Sequence, residues 1–159
     1  MNPGRAQLVA TRAHRGQLQP TGEPVIAHVR RVAAATPEFA RSVAWLHEIF
    51  EWTSVSEEKL LAEGASDDEL RALRLLTRTL GGSSEASYLA HIRMIARASG
   101  PAGVLARTVK VSDLEDRLRH LGSGTGGSRP PYERALELIL GADAPQRLLV
   151  PGGAESPAA

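Results

Sequence analysis

The sequence predicts an all-α protein. Apolar residues recur at three- and four-residue spacing along nearly the whole chain, which is the period of an amphipathic helix. Glycine and proline separate these segments, and no stretch shows a convincing strand pattern. With 159 residues, of which 42% are hydrophobic, the chain can form one ordinary core. We expect one compact domain over 1–145 and a mobile tail over 146–159.

The first half of the chain contains three predicted helices before a short fourth. The first ends before Gly16, and Pro24 suits the first turn of the second because that turn leaves its N–H groups unpaired. Thr36 followed by Pro37 is typical of a helix start, so a third helix is predicted from there to about Trp52.

Similar signals order the second half. Ser56 caps the short fourth helix, and Ser66 with Glu69 forms a capping box for a helix that runs to about Leu80. Gly81 to Ser84 is predicted to be a loop. Further helices are predicted over 85–98, 102–121 and 134–140, with a Gly/Ser/Pro-rich loop over 121–131.

Composition excludes several functional classes. The net charge is only +1, with 19 basic and 18 acidic residues, which argues against nucleic acid as the primary partner. The absence of cysteine excludes disulfides and thiolate metal sites. No signal-peptide pattern opens the sequence, and no apolar run approaches the roughly 20 residues that span a bilayer. We therefore expect a cytoplasmic protein with no membrane partner, and a homo-oligomer stays open.

The pair His47-Glu48 is the most informative feature of the chain. It lies in an otherwise apolar predicted helix, and His28 lies upstream among apolar residues. Asp113 continues an apolar stripe at four-residue spacing, so its carboxylate is expected to be partly buried and to need a partner. Two imidazoles and two carboxylates from three helices suit manganese, iron or zinc. Glu51 lies one turn after His47, where it could orient or deprotonate a water molecule.

Structural roles are the alternative interpretation of these residues. A buried histidine is more often a hydrogen-bonded core residue than a metal ligand. Asp113 could simply pair with Arg117, one helical turn later. Two other chemistries are disfavoured, since the Gly-rich segment 122–128 lacks the Gly-Lys-Ser/Thr ending of a phosphate loop and no Gly-x-Ser-x-Gly elbow is present.

The order of the motifs resembles the HD-domain superfamily, and more closely the ppGpp hydrolase domain of RelA/SpoT-type enzymes and their small stand-alone relatives. The matching segments are Ala13-His14-Arg15-Gly16-Gln17, Thr21-Gly22-Glu23-Pro24-Val25-Ile26-Ala27-His28, Ala44-Trp45-Leu46-His47-Glu48-Ile49-Phe50-Glu51-Trp52-Thr53, Leu76-Thr77-Arg78, Val109-Lys110-Val111-Ser112-Asp113 and Tyr132-Glu133-Arg134-Ala135-Leu136. Together they cover about residues 5 to 140.

The resemblance implies a compact helical HD-domain bundle and a metal-dependent phosphohydrolase. It implies that His28, His47, Glu48 and Asp113 ligate one divalent ion, most often Mn²⁺. In the family this ion activates the water that removes pyrophosphate from the 3′ position of ppGpp. The resemblance also gives Glu51 a catalytic role beside this water.

Four residues are assigned to binding a small phosphorylated nucleotide or related ligand. Thr21 and Arg78 match positions near the family's nucleotide pocket. Trp52 could stack on a base, and Arg117 could hold a phosphate through two donors.

Several positions depart from the family pattern. Glu48 stands where aspartate is usual, and Trp52 stands where an acid accompanies Glu51. Gln19-Pro20 replaces an Arg-Lys pair, and Arg117 replaces an asparagine.

The motifs and the resemblance together predict a metal-dependent phosphohydrolase acting on a nucleotide or (p)ppGpp-like phosphate ester. The alternative is a catalytically impaired HD-like module that binds a nucleotide or a protein partner.

Overall fold

The computed structural model describes residues 1–78, 84–120 and 129–142. Within these ranges the chain forms helices and one isolated bridge between Leu18 and Pro24, with no β-strand. The helices are α1 (Pro3–Ala13), α2 (Val25–Ala35), a 3₁₀ turn (Glu38–Ala40), α3 (Arg41–Leu46), α4 (Ile49–Trp52), α5 (Glu57–Ala62), α6 (Asp67–Leu76), α7 (Glu85–Arg97), α8 (Gly100–His120) and α9 (Arg129–Ala142). The predicted all-α class is confirmed.

Two segments predicted from the sequence lie outside the described residues. These are the tail over 146–159 and the Gly-rich segment 122–128. Most of the predicted loop at 81–84 lies outside them as well. In the described ranges no helix combines the length and the apolar character that crossing a membrane requires.

The predicted helix starts are present as capping hydrogen bonds. The Ser56 side chain accepts from the Lys59 N–H at the start of α5. Ser66 and Glu69 form the predicted capping box at the start of α6, each side chain accepting from the other residue's N–H. These bonds occupy backbone donors that a helix start would otherwise leave unpaired.

Helix α8 is the central element of the fold. It contacts α2, α3, α6, α7 and α9, so its apolar residues face neighbours on several sides. Ala106, Val109 and Leu114 of this helix are fully buried. The charged residues Asp113 and Asp116 are buried on it as well. Buried charge requires partners, and these partners define the candidate site.

Three predicted boundaries were wrong. The predicted third helix is interrupted at His47 and Glu48, where α3 ends and α4 has not begun. Helix α6 ends at Leu76 rather than near Leu80, and the Thr77 hydroxyl donates to the Leu73 carbonyl there. Helix α9 begins before the predicted position, at residue 129, with its prolines in the first turn, where proline is favoured.

The connection between α7 and α8 depends on a glycine. A Cβ atom at Gly103 would lie 2.3 Å from the Ala98 carbonyl oxygen and 2.6 Å from its carbonyl carbon. The same oxygen accepts a hydrogen bond from the Arg107 guanidinium. Close approach of α8 to the end of α7 therefore requires the absence of a side chain at residue 103.

Gly103→Ala should destabilise the protein by about 1–3 kcal/mol, because the added methyl group would force the two segments apart. The matched control is Gly141→Ala in α9, where a Cβ atom would meet nothing within 4 Å. This control should leave stability unchanged or raise it by up to about 1 kcal/mol, since alanine favours a helix. Denaturant unfolding followed by circular dichroism measures both, and equal effects would contradict the packing argument.

Candidate metal and phosphate site

His47 and Glu48 lie at a break between α3 and α4, and the histidine ring helps to explain this break. His47 Nδ1 lies 2.7 Å from the Ala44 carbonyl oxygen. In a regular helix that oxygen would accept the N–H of Glu48, so the imidazole competes with the backbone for it. The bond also fixes the ring, leaving Nε2 to face the interior.

Four potential metal-ligating atoms converge in the interior. His28 Nε2 lies 3.3 Å from His47 Nε2, 3.2 Å from Asp113 Oδ1 and 3.6 Å from Glu48 Oε1. His47 Nε2 lies 3.5 Å from Glu48 Oε1 and 4.0 Å from Asp113 Oδ1. All four residues are buried, and one ligand atom from each lies within 4.8 Å of all the others. Helices α2 and α8 and the break after α3 thus bring the predicted set together.

The residues fit a divalent metal ion. The Nδ1 atom of each imidazole is hydrogen-bonded on the side away from the cluster, to Asp116 for His28 and to the Ala44 carbonyl for His47. The two Nε2 atoms therefore face each other and two carboxylate oxygens. Four acceptor atoms facing one another require a proton or a cation between them. Bonds of about 2.1 Å to one ion would place neighbouring ligand atoms roughly 3–3.5 Å apart. The observed separations are close to this spacing.

Sequence reasoning missed the residue that orients His28. Asp116 Oδ2 lies 2.8 Å from His28 Nδ1, and Asp116 also accepts hydrogen bonds from the Arg31 guanidinium. Arg31 in turn pairs with Glu23. A carboxylate behind a histidine fixes the tautomer that presents Nε2 as a ligand. The signal was the spacing from Asp113, since residues three apart share a helix face.

The ionisable side chains of the cluster shift one another's pKa values. Burial lowers the pKa of His28, but hydrogen bonds to Asp113, Asp116 and Glu48 outweigh it and raise the pKa to about 10. Burial lowers the pKa of His47, so that ring stays neutral. Burial raises the pKa of Glu48, but the hydrogen bond with His28 and the charge of Arg117 bring it down to about 2. The raised pKa of His28 favours a proton on the ring that faces Glu48 and Asp113.

The second oxygen of Glu48 is held by Trp52. The indole Nε1–H donates to Glu48 Oε2 at 2.8 Å, which leaves Oε1 directed at the histidines. The glutamate side chain is longer than aspartate, and this hydrogen bond fixes its carboxylate. Trp52 is 38% exposed and lines the adjoining cavity, where a substrate could reach its ring. Its contact with a substrate stays a prediction.

Two cations contact the carboxylates of the cluster. Arg117 Nε donates to Asp113 Oδ1 at 2.7 Å, and Arg117 Nη2 donates to Glu48 Oε1 at 2.6 Å. Lys110 Nζ donates to the other Asp113 oxygen at 2.7 Å. The pairing of Asp113 with Arg117, one of the alternatives left open by the sequence, is therefore present. Sequence reasoning did not single out Lys110.

The cluster opens into a cavity of about 180 Å³. Glu51 and Arg78 line it, and the Arg78 backbone N–H donates to Glu51 Oε1 at 2.6 Å. Glu51 keeps contact with solvent, but its partial burial at the cavity wall raises the pKa of its carboxyl, and the Arg78 N–H opposes this. Thr21, a predicted substrate-binding residue, is exposed and does not line this cavity.

Tyr88 and His91 also line the cavity, and neither was assigned a role from the sequence. The Arg78 guanidinium carbon lies 5.5 Å from the centre of the Tyr88 ring. Tyr88 Oη and His91 Nε2 are buried without a hydrogen-bond partner among the described residues. Buried polar atoms are rarely left unpaired, and both of these side chains line the cavity.

Together the fold and the site define an all-α protein with a buried cluster of potential metal ligands beside a cavity lined by both cationic and acidic side chains. No protein-family model matches the chain, and no curated protein matches its sequence. Among solved structures, it is similar to a metazoan ortholog of SpoT that hydrolyzes ppGpp and plays a role in starvation responses. The two are 21% identical with a TM-score of 0.67, and the match covers 89% of this chain and 84% of the other. The predicted resemblance is thus confirmed at the level of the fold.

Asp116→Asn should weaken the binding of Mn²⁺ by about 10–100-fold, because an amide orients the His28 ring less firmly than a carboxylate. Electron paramagnetic resonance of free Mn²⁺ during titration measures the affinity. Glu115→Gln is the control, since Glu115 lies next to Asp116 on α8 but pairs with the exposed Arg119. Unchanged affinity in Asp116→Asn would show that Asp116 does not orient a ligand.

Proposed function

We propose that this protein is a metal-dependent phosphohydrolase that acts on a small phosphorylated nucleotide, with a (p)ppGpp-like phosphate ester as the first candidate. The observation that carries the proposal is the convergence of two imidazole nitrogens and two carboxylate oxygens, with each imidazole nitrogen 3.2–4.0 Å from the carboxylate oxygens, beside a cavity lined by Arg78, Lys110 and Arg117. The fold similarity to a ppGpp hydrolase supports the choice of substrate class.

His28, His47, Glu48 and Asp113 would hold the ion. Imidazole and carboxylate ligands without sulfur suit Mn²⁺, which we take as the first candidate. A divalent ion bound there would lower the pKa of water and would stabilise negative charge on a phosphoryl oxygen. The remaining tasks, which are proton transfer and substrate binding, fall to other residues of the cavity.

Glu51 would accept the proton from the attacking water. Its carboxyl lines the same cavity as His47 and Glu48. The pKa of Glu51 is raised toward neutral pH, and a general base is more effective when its pKa lies near the working pH. The Arg78 N–H holds one carboxylate oxygen and leaves the other for the proton.

The cationic wall of the cavity would bind the phosphate groups. Arg78, Lys110 and Arg117 line it together. Tyr88 and Tyr132 meet edge to face beside them, with ring centres 5.9 Å apart. Guanidinium groups bind phosphate oxygens through paired donors, whereas aromatic rings favour a flat base or sugar. We assign the phosphorylated end of the substrate to the cations and its nucleoside to the aromatic side.

A second candidate is a module that binds a phosphorylated nucleotide without hydrolysing it. The contacts of Arg117 with Glu48 and Asp113 favour this candidate, because the guanidinium neutralises both carboxylates that a metal would need. Saturable nucleotide binding that persists in a chelator, with no turnover at any metal concentration, would establish it.

The purified protein should release phosphate or pyrophosphate from at least one member of a nucleotide panel that includes ppGpp, in the presence of Mn²⁺. His47→Ala should abolish turnover and weaken metal binding by more than the roughly 10–100-fold that outer-shell changes cost. Metal content is measured by elemental analysis and product by chromatography. A wild-type protein without bound metal and without turnover would refute the enzyme proposal.

Glu51→Gln should lower kcat by about 10²–10⁴-fold while metal affinity stays close to wild type, because the base is lost and the ligands remain. In the wild type, kcat/KM should fall as the pH decreases through the pKa of Glu51, because the protonated carboxyl cannot accept a proton. This fall should occur at a higher pH than the pKa of an ordinary glutamate, since the pKa of Glu51 is raised. Glu58→Gln on the surface of α5 is the control. An unchanged rate in Glu51→Gln would exclude Glu51 as the base.

A further inference from the structure

Arg117 contacts the same oxygen atoms that face the two histidines. Its Nε donates to Asp113 Oδ1 and its Nη2 to Glu48 Oε1. Those oxygens are also the ones nearest His28 Nε2, at 3.2 and 3.6 Å. One planar guanidinium therefore bridges both carboxylates of the proposed metal shell.

Each of the two carboxylates already contacts a cationic side chain before any metal binds. Glu48 and Asp113 contribute two negative charges, and Lys110 and Arg117 contribute two positive charges in direct contact with them. Because like charges repel, a divalent cation entering between the ligands would be disfavoured by both neighbours. The low accessibility of Asp113 and Glu48 limits how far water can screen this repulsion.

Arg117 is the most exposed of the three residues in this contact. Its side chain is 28% exposed, whereas those of Asp113 and Glu48 are 1% and 8% exposed. Arg117 also lines the cavity. The guanidinium can therefore turn toward the cavity without opening the core, while the carboxylates stay in place.

We propose that Arg117 is a counter-cation that competes with the metal for Glu48 and Asp113, and that a phosphate group in the cavity draws it away, so that metal and phosphorylated substrate bind cooperatively. The inference rests on the proposed function of the site. A phosphate offers the guanidinium two oxygen atoms in place of the carboxylate oxygens. The negative charge of the phosphate also offsets the positive charge of the incoming metal ion. Thermodynamic linkage then requires that metal tightens phosphate binding by the same factor.

The experiment is a Mn²⁺ titration of the full chain, with free Mn²⁺ followed by electron paramagnetic resonance, in the presence and absence of inorganic phosphate. Binding of Mn²⁺ to phosphate in protein-free buffer is subtracted. We expect phosphate to tighten Mn²⁺ binding to the wild type by about tenfold, within the usual range of coupling between sites. Arg117→Gln should bind Mn²⁺ tightly without phosphate and should lose most of the phosphate effect.

The matched control is Arg119→Gln, which makes the same change on α8 at an exposed arginine that pairs with Glu115. It should behave as the wild type. Arg117→Lys keeps the charge but loses the planar pair of donors, so its Mn²⁺ affinity should fall between those of wild type and Arg117→Gln. If Arg117→Gln fails to fold, two measurements still decide the proposal. These are the effect of phosphate on the Mn²⁺ affinity of the wild type and the comparison of Mn²⁺ affinity between the wild type and Arg117→Lys.

The outcomes separate this inference from the proposed function. Mn²⁺ binding that is equally tight in wild type and Arg117→Gln, with no phosphate effect, would overturn the inference and leave the metal site standing. Weaker binding in Arg117→Gln would overturn it as well, since Arg117 would then support the metal. Absence of Mn²⁺ binding in every variant, with or without phosphate, would overturn the inference together with the metal-dependent function.

Discussion

The hydrogen bond between His28 and Asp116 is the contact on which the arrangement of the site depends. It joins α2 to α8 through the core and directs His28 Nε2 toward His47, Glu48 and Asp113. Asp116 is in turn held by Arg31, which is paired with Glu23. The orientation of a buried imidazole is thus determined by a chain of charges that begins at the loop before α2. Such support lowers the cost of keeping several ligand atoms close together.

The apolar framework could be predicted because its signals are local. Helical periodicity, the capping serines and the prolines all act within a few residues, and they predicted most of the helices. The break at His47 escaped prediction because it arises from competition between a side chain and the backbone for the Ala44 carbonyl. The apolar pattern of the segment continues across this break, so periodicity alone could not reveal it.

The residues of the site were predictable only in part. Residue types and helical positions singled out the four potential ligands, the family resemblance supported them, and the structure brings them together. Spacing places Asp116 and Lys110 on the same face of α8 as Asp113, but it does not show which residues of the neighbouring helices they contact, so their roles escaped prediction. Tyr88 and His91 escaped for a related reason, since an aromatic residue on an apolar stripe is usually part of the core. Their positions beside the cavity follow from the packing of α7 on α8 and α9.

The unusual residues of the site form one connected arrangement rather than separate losses. Glu48 is longer than the aspartate of the resembled family, and Trp52 holds its second oxygen. Arg117 donates to its first oxygen and to Asp113. Each of these three residues thus contacts another member of the set, so that a change at one would leave a polar group of its neighbour without a partner. A buried carboxylate that lost such a partner would be destabilising. Glu48, Trp52 and Arg117 are therefore one connected set, in which Trp52 holds the Glu48 oxygen that faces away from the histidines and Arg117 holds the carboxylate oxygens that face them.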